Sequence, residues 1–139
     1  MQPAPAPTVD TVTPVRPTLL VVDDEPLILW SLKSGLSEAY AVTASSSPGE
    51  ALALLRKRPF DALLTDLMMD DLDGFDLAAA ARKIRPGIRL FLMTGYGSRN
   101  ALRNATDFGF LECIEKPFPA SRVLAMLERH LPEGRGEAS

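Results

Sequence analysis

Residues 19–26 read LLVVDDEP, and this stretch decides the fold. Four consecutive apolar residues are typical of a strand that is buried on both faces of a parallel sheet. Asp23, Asp24 and Glu25 end the run, and Pro26 follows, a residue that favours the first turn of a helix. The segment PLILWSLKSGL then carries apolar side chains at helical spacing. The sequence therefore predicts a buried strand, an acidic turn and a helix.

The same alternation continues along the chain. Further strands are predicted at 40–44, 60–65, 88–93 and 110–114, and helices at 51–58, 75–84, 98–108 and 120–130. Ser47 and Glu50 are spaced as a capping box before the second helix. Strands that alternate with helices indicate an α/β domain with a parallel sheet and helices on both faces. Five units fit the flavodoxin-like (βα)5 three-layer sandwich, with strand order 2-1-3-4-5.

Length and composition narrow the class of protein. The 139 residues suffice for one domain, and 46% hydrophobic with 24% charged residues is an ordinary globular mixture. A formal net charge of −3 argues against direct nucleic-acid binding and against a polybasic membrane binder. The single cysteine excludes an internal disulfide and suits the cytoplasm. No apolar run approaches the roughly 18 residues that a membrane span needs.

The two ends of the chain differ from its middle. Residues 1–17 contain five of the twelve prolines and few apolar residues, so we expect a disordered extension. Residues 132–139 form a short polar tail. The domain is predicted at 18–131. No output domain follows it in this sequence, so two alternatives stay open: a stand-alone chain and a domain excised from a larger protein.

Polar residues collect at the carboxyl ends of the predicted strands. Asp23 and Asp24 end the first strand, Asp66 the third, Thr94 the fourth and Lys116 the fifth. Ligands of open α/β sheets bind at this edge, where the first and third strands are neighbours. Carboxylates about 4 Å apart repel by roughly 4 kcal/mol at an effective dielectric near 20, so a hard cation such as Mg²⁺ is expected. A carboxylate nucleophile, a metal, an ammonium and a hydroxyl together suit phosphoryl transfer to an aspartate.

The fragments VVDDE, LLTD, MTG and EKPF, in this order and each at a predicted strand end, resemble the receiver domain of bacterial two-component response regulators. The resemblance covers residues 18–131. It implies that Asp66 is the phosphoacceptor. It also implies that Asp24 binds Mg²⁺ directly and Asp23 through a water molecule, with the backbone carbonyl of Met68 completing the ligands beside Asp66.

The resemblance assigns roles to the last two strand ends. It implies that Thr94 donates a hydrogen bond to the phosphoryl group and moves on activation, that Lys116 pairs with phosphoryl oxygens, and that Pro117 follows a cis bond. Two positions depart from the family. Asp70 stands where a proline is common, and Cys113 stands where the family has its switch aromatic. We expect a smaller switch response at Cys113, or one routed through Tyr96.

The resemblance also implies the function. We expect a phosphorylation-dependent switch that takes its phosphoryl group from a histidine kinase or a phosphotransfer protein and regulates a downstream protein. Such a chain catalyses only its own phosphorylation and dephosphorylation. Homodimers through the fourth helix, fifth strand and fifth helix are common in the family, so a homodimer is one expectation. The alternative is a phosphorylation-independent interaction module with the receiver fold.

Overall fold

A computed structural model describes residues 16–69, 72–95 and 99–131, with the side chains of 99–101 left out. Strands and helices alternate throughout. The strands are β1 (Thr18–Val22), β2 (Ala41–Ser45), β3 (Ala62–Asp66), β4 (Arg89–Thr94) and β5 (Glu112–Glu115). The helices are α1 (Pro26–Leu36), α2 (Pro48–Lys57), α3 (Gly74–Ile84), α4 (Arg99–Phe108) and α5 (Ala120–Glu128). No helix in these ranges is long and apolar enough to cross a bilayer.

The strands form one parallel sheet in the order β2-β1-β3-β4-β5. The central pair aligns Val22 with Thr65, so β1 and β3 end at the same edge. The predicted flavodoxin-like (βα)5 fold and its strand order are therefore confirmed.

Each face of the sheet carries its own apolar core. Along β1, Leu19 and Val21 face one side, and Leu20 and Val22 face the other, because successive strand side chains alternate. The first side packs against α1 and α5, and the second packs against α2, α3 and α4. Burial on both faces explains why these strands read as continuous apolar runs.

The helix starts explain two local sequence patterns. Ser47 caps α2, since its Oγ accepts a hydrogen bond from the Glu50 backbone N–H at 3.0 Å. The Glu50 carboxylate does not complete the predicted capping box; it accepts a hydrogen bond from Ser45 Oγ at 2.8 Å. The second half of that prediction is wrong because the Ser47 N–H, which a capping box pairs with Glu50, donates to Ser45 Oγ at 3.3 Å.

Residues near the predicted domain limits contact the core. Pro17 is buried, and its carbonyl accepts a hydrogen bond from the Ala41 N–H at 2.9 Å. Leu131 is also buried, and its carbonyl accepts a hydrogen bond from the Tyr40 hydroxyl at 3.0 Å. Residue 17 thus packs with the domain and does not belong to the predicted extension. The limits 18–131 remain a prediction, since residues 1–15 and 132–139 lie outside the described residues.

Candidate functional site

Three carboxylates converge at the carboxyl edge of the two central strands. Asp23 and Asp24 directly follow β1, and Asp66 is the last residue of β3. One oxygen from each of the three lies within 4.8 Å of the others. The parallel pairing of β1 with β3 produces this cluster, since it brings residues far apart in sequence to the same edge.

Burial raises the proton affinity of two of these carboxyls. Asp23 is 0% exposed and Asp66 is 6% exposed, whereas Asp24 is exposed. The pKa of Asp66 is raised from its ordinary value, mainly by burial and next by the charge of Asp23, with Lys116 opposing the shift. Burial likewise raises the pKa of Asp23 against the opposing hydrogen bond from Lys116. A neighbouring cation therefore opposes the upward pKa shift at both groups and favours their ionised forms.

Lys116 supplies such a cation at the centre of the site. Its Nζ lies 2.8 Å from Asp23 Oδ2, 3.1 Å from Glu25 Oε1 and 3.3 Å from Asp66 Oδ1. Burial alone lowers the pKa of Lys116, but these three carboxylates raise it above its ordinary value. The ammonium therefore stays charged at neutral pH and links both acidic strand ends to the fifth strand.

The backbone fixes the direction of Lys116. Its N–H donates to the carbonyl of Thr94 at 2.8 Å, which continues the β4–β5 pairing beyond the last residue of β5. The Lys116–Pro117 peptide bond is cis, as the resemblance implied. Thr94 is buried as the last residue of β4. Because Asp66 pairs with the preceding residue, Met93, Thr94 lies at the same edge of the sheet as the carboxylates.

The loop after Asp66 is held close to the site by the start of α3. The Gly74 N–H donates to the Leu67 carbonyl at 2.8 Å. A Cβ at Gly74 would lie 2.5 Å from the backbone oxygen of Asp66, so this close approach requires glycine. Met68 follows in the loop, two residues beyond Asp66, and is 65% exposed. The role of its backbone carbonyl as a metal ligand remains a prediction.

The donor set fits a hard divalent cation. All three clustered groups are carboxylates, and Lys116 is the cation that contacts two of them among the described residues. Three negative charges against one ammonium leave an excess that a divalent ion neutralises. An oxygen-only set with few carboxylates also matches the preference of Mg²⁺, which keeps several water ligands.

Cys113 lies beside the site and not within it. It is half-buried in β5, pairs with Leu92, and packs against the core on the α3 side of the sheet. Burial, with a smaller contribution from the Glu115 carboxylate, raises the pKa of the thiol to about 11. The thiol is therefore protonated at neutral pH. The other departure, Asp70, and the alternative route of the response through Tyr96 lie outside the described residues.

Glu25 is the site residue that sequence reasoning missed. We interpreted it as the end of an acidic turn, yet its carboxylate contacts Lys116, which lies 91 positions further along the chain. The signal was present in the fragment VVDDE, because the third acid directly follows Asp24. The direction of that side chain was not encoded in the pattern of apolar and polar residues.

The chain is similar to known proteins over most of its length. The family profile described as the response regulator receiver domain matches residues 19–128. The transcriptional regulatory protein GlrR of Escherichia coli K12 is 37% identical over 100 residues, which is 71% of this chain and 22% of that protein. The chain thus spans about a fifth of that relative's length.

Solved structures share the fold over most of the described chain. A CheY-like receiver domain protein from Methanospirillum hungatei JF-1 has 31% sequence identity and a TM-score of 0.79, with 88% of this chain and 99% of that chain covered. A response regulator from Burkholderia pseudomallei with a phosphorylated aspartic acid, calcium ion and citrate has 29% identity and a TM-score of 0.72, covering 78% of this chain and 65% of that one.

Proposed function

The chain belongs to the receiver domain family of response regulators, the signalling proteins of two-component systems, and we propose from this that it is a phosphorylation-dependent switch with Asp66 as its phosphoacceptor. One observation carries the assignment. The Asp66 carboxylate lies 3.3 Å from the Lys116 ammonium and within 4.8 Å of oxygens from two further aspartates, at the carboxyl edge of the sheet.

Asp23, Asp24, Asp66 and the backbone carbonyl of Met68 are the proposed protein ligands of Mg²⁺. Asp24 is the direct ligand of the first pair, and Asp23 acts through a water molecule. When bound, the ion neutralises negative charge on the carboxylates and on the phosphoryl oxygens. The response regulator structure from Burkholderia pseudomallei, which contains both a phosphorylated aspartic acid and a calcium ion, supports this proposal.

The proposed chemistry takes place at a carboxylate oxygen of Asp66. This oxygen attacks the phosphorus of a phosphohistidine in a partner protein. An O–P bond forms and the N–P bond breaks, with its electron pair passing to the histidine nitrogen. Hydrolysis returns the switch to its resting state. Water attacks the phosphorus, and the bond between phosphorus and the Asp66 oxygen breaks, which gives inorganic phosphate and free Asp66.

Lys116 and Thr94 act on the transferred group. The Lys116 ammonium compensates the charge of the equatorial oxygens as they are delivered, and the Thr94 hydroxyl donates a hydrogen bond to one of them. Since Asp66 must be ionised to attack, Lys116 also favours the reactive form of the nucleophile. Turnover is confined to Asp66, so the chain acts on no external substrate.

The proposed partners follow from this chemistry. A histidine kinase or a phosphotransfer protein of the cytoplasm supplies the phosphoryl group, and a downstream protein receives the signal. The surface formed by α4, β5 and α5 carries exposed arginines at 103 and 122, which suit an acidic effector or a second copy of the chain. Arg129 is less available, because it pairs with Glu112 at 2.7 Å.

Acetyl phosphate with Mg²⁺ tests the proposal. We expect intact-protein mass spectrometry to detect one added phosphoryl group on the wild type, with none on Asp66→Asn and none when the metal is chelated. The matched control is Asp61→Asn, at an aspartate outside the site that accepts hydrogen bonds from Thr18. An unmodified wild type would instead support the phosphorylation-independent interaction module.

A further inference from the structure

The Lys116 ammonium has three hydrogen-bond donors and meets three carboxylates. Asp23 belongs to the acidic cluster, and Asp66 is the proposed phosphoacceptor. Glu25 belongs to neither group, although its Oε1 lies only 3.1 Å from Lys116 Nζ. The third contact therefore requires its own explanation.

Among the residues that the structure describes, Lys116 is the partner of the Glu25 side chain. Glu25 is the N-cap residue of α1, yet its side chain makes no capping hydrogen bond. Its backbone is fixed independently, since its N–H donates to Asp23 Oδ1 at 2.9 Å. The side chain is 61% exposed, whereas that of Lys116 is 15% exposed. Glu25 thus reaches from the solvent onto a largely covered ammonium.

The three contacts of Lys116 differ in what it costs to break them. Releasing Asp23 leaves a fully buried carboxylate without its ion-pair partner, which is strongly unfavourable. Releasing Glu25 returns an exposed carboxylate to water, which costs little. A phosphoryl group on Asp66 adds anionic oxygens that require a donor. Glu25 is therefore the partner that the ammonium gives up.

We propose that Glu25 is a positioning residue that holds Lys116 in the resting state and competes with the phosphoryl group for its ammonium. This inference rests on the proposed function of Asp66. The Glu25 contact sets part of the free-energy difference between the resting and the phosphorylated states. Weakening it favours the phosphorylated state, because Lys116 no longer exchanges one anionic partner for another.

Two substitutions distinguish the effect of the Glu25–Lys116 contact from the effect of a negative charge at position 25. Glu25→Gln removes the negative charge and keeps the length of the side chain. Glu25→Asp keeps the charge but is one methylene shorter, so it withdraws the carboxylate from Lys116. The full chain is titrated with beryllofluoride, a phosphoryl mimic, at saturating Mg²⁺ for each variant, and the dissociation constant is measured by isothermal titration calorimetry.

Both variants are expected to bind beryllofluoride about two- to fivefold more tightly than the wild type, the range that an exposed ion pair supports. A Glu25→Asp dissociation constant equal to that of the wild type would overturn the proposal, because charge alone would then suffice. Weaker binding by either variant would also overturn it. If the wild type fails to bind beryllofluoride with Mg²⁺, the proposed function itself fails; if it binds and the variants match it, only the role of Glu25 is lost.

Discussion

Asp66 is a nearly buried carboxyl that lies beside another buried carboxyl, and this is an unfavourable place for a negative charge. Its raised pKa follows from burial first and from Asp23 second. A protein that only needed to be stable would do better with a neutral residue there. The unfavourable free energy of a charge at Asp66 is consistent with a carboxylate that must be ionised to react.

Asp66→Asn is therefore expected to stabilise the fold at pH 7 by on the order of 1 kcal/mol, because it removes one of the repelling charges. A carboxyl whose pKa is higher in the folded state binds its proton more tightly when folded. The stability that the protonated carboxyl adds is complete below the unfolded-state pKa, and it is lost as the pH rises through the folded-state pKa. The advantage of Asn should thus shrink as the pH falls toward 4.

Thermal unfolding monitored by circular dichroism at pH 7 and pH 4 checks this expectation. Glu38→Gln, at an exposed carboxyl, is the matched control and should leave the midpoint nearly unchanged at pH 7. A midpoint of Asp66→Asn that is lower than that of the wild type at pH 7 would contradict the account of strain at this carboxyl.

The sequence predicted which side chains converge at this edge, because strand ends are recognisable and the carboxyl edge of a parallel sheet collects them. Asp24, Asp66 and Lys116 were found in this way. Glu25 was not, because its contact with Lys116 depends on a side-chain direction that only the folded chain defines.

At the scale of elements, β5 connects the site to the outer surface. Its first residue, Glu112, accepts hydrogen bonds from Arg129 at 2.7 and 2.9 Å and lies 2.7 Å from His130 Nε2. These contacts, with the Arg129 hydrogen bonds as the largest cause, lower the pKa of Glu112 to about 2. The start of β5 is thereby tied to the end of α5, while its other end leads to Lys116.

Cys113 lies in the middle of this strand, at the position where the resemblance implies a switch aromatic. We expect the backbone amides of β4 and α4 to show smaller NMR shift changes on addition of beryllofluoride and Mg²⁺ in the wild type than in Cys113→Tyr. The physical reason is volume: a half-buried thiol transmits less of a movement at Thr94 than a ring does.

Cys113→Ser is the control, because it changes the polarity of the side chain with little change in size. Its shift changes should resemble those of the wild type. Equal responses in the wild type and in Cys113→Tyr would count against a role for this position in the size of the response.

Element ends were harder to predict than element types. The periodicity identified every strand and helix in the described ranges, but β2 begins at Ala41 and α5 ends at Glu128, whereas we had predicted residues 40 and 130. Local backbone hydrogen bonds account for both. The Tyr40 N–H donates to the Leu36 carbonyl at 2.9 Å, so Tyr40 belongs to the turn after α1. The His130 N–H donates to the Leu127 carbonyl at 3.0 Å, so His130 belongs to the turn after α5.

At the scale of the whole molecule, the strand order brings the candidate site residues to the carboxyl edge of the sheet. β1 and β3 are neighbours although α1, β2 and α2 lie between them in sequence, and β5 reaches them through Lys116. The two apolar cores hold the sheet from both faces, which keeps the polar strand ends in register. The central claim is that this edge binds a divalent cation and a phosphoryl group together.

A crystal structure of the chain grown with Mg²⁺ and beryllofluoride tests that claim most directly. The account predicts beryllium bonded to a carboxylate oxygen of Asp66, Mg²⁺ beside it with Asp24 as a ligand, and Lys116 Nζ on a fluorine. It would be contradicted by a structure in which the metal and the fluoride bind elsewhere or in which Lys116 faces away from both.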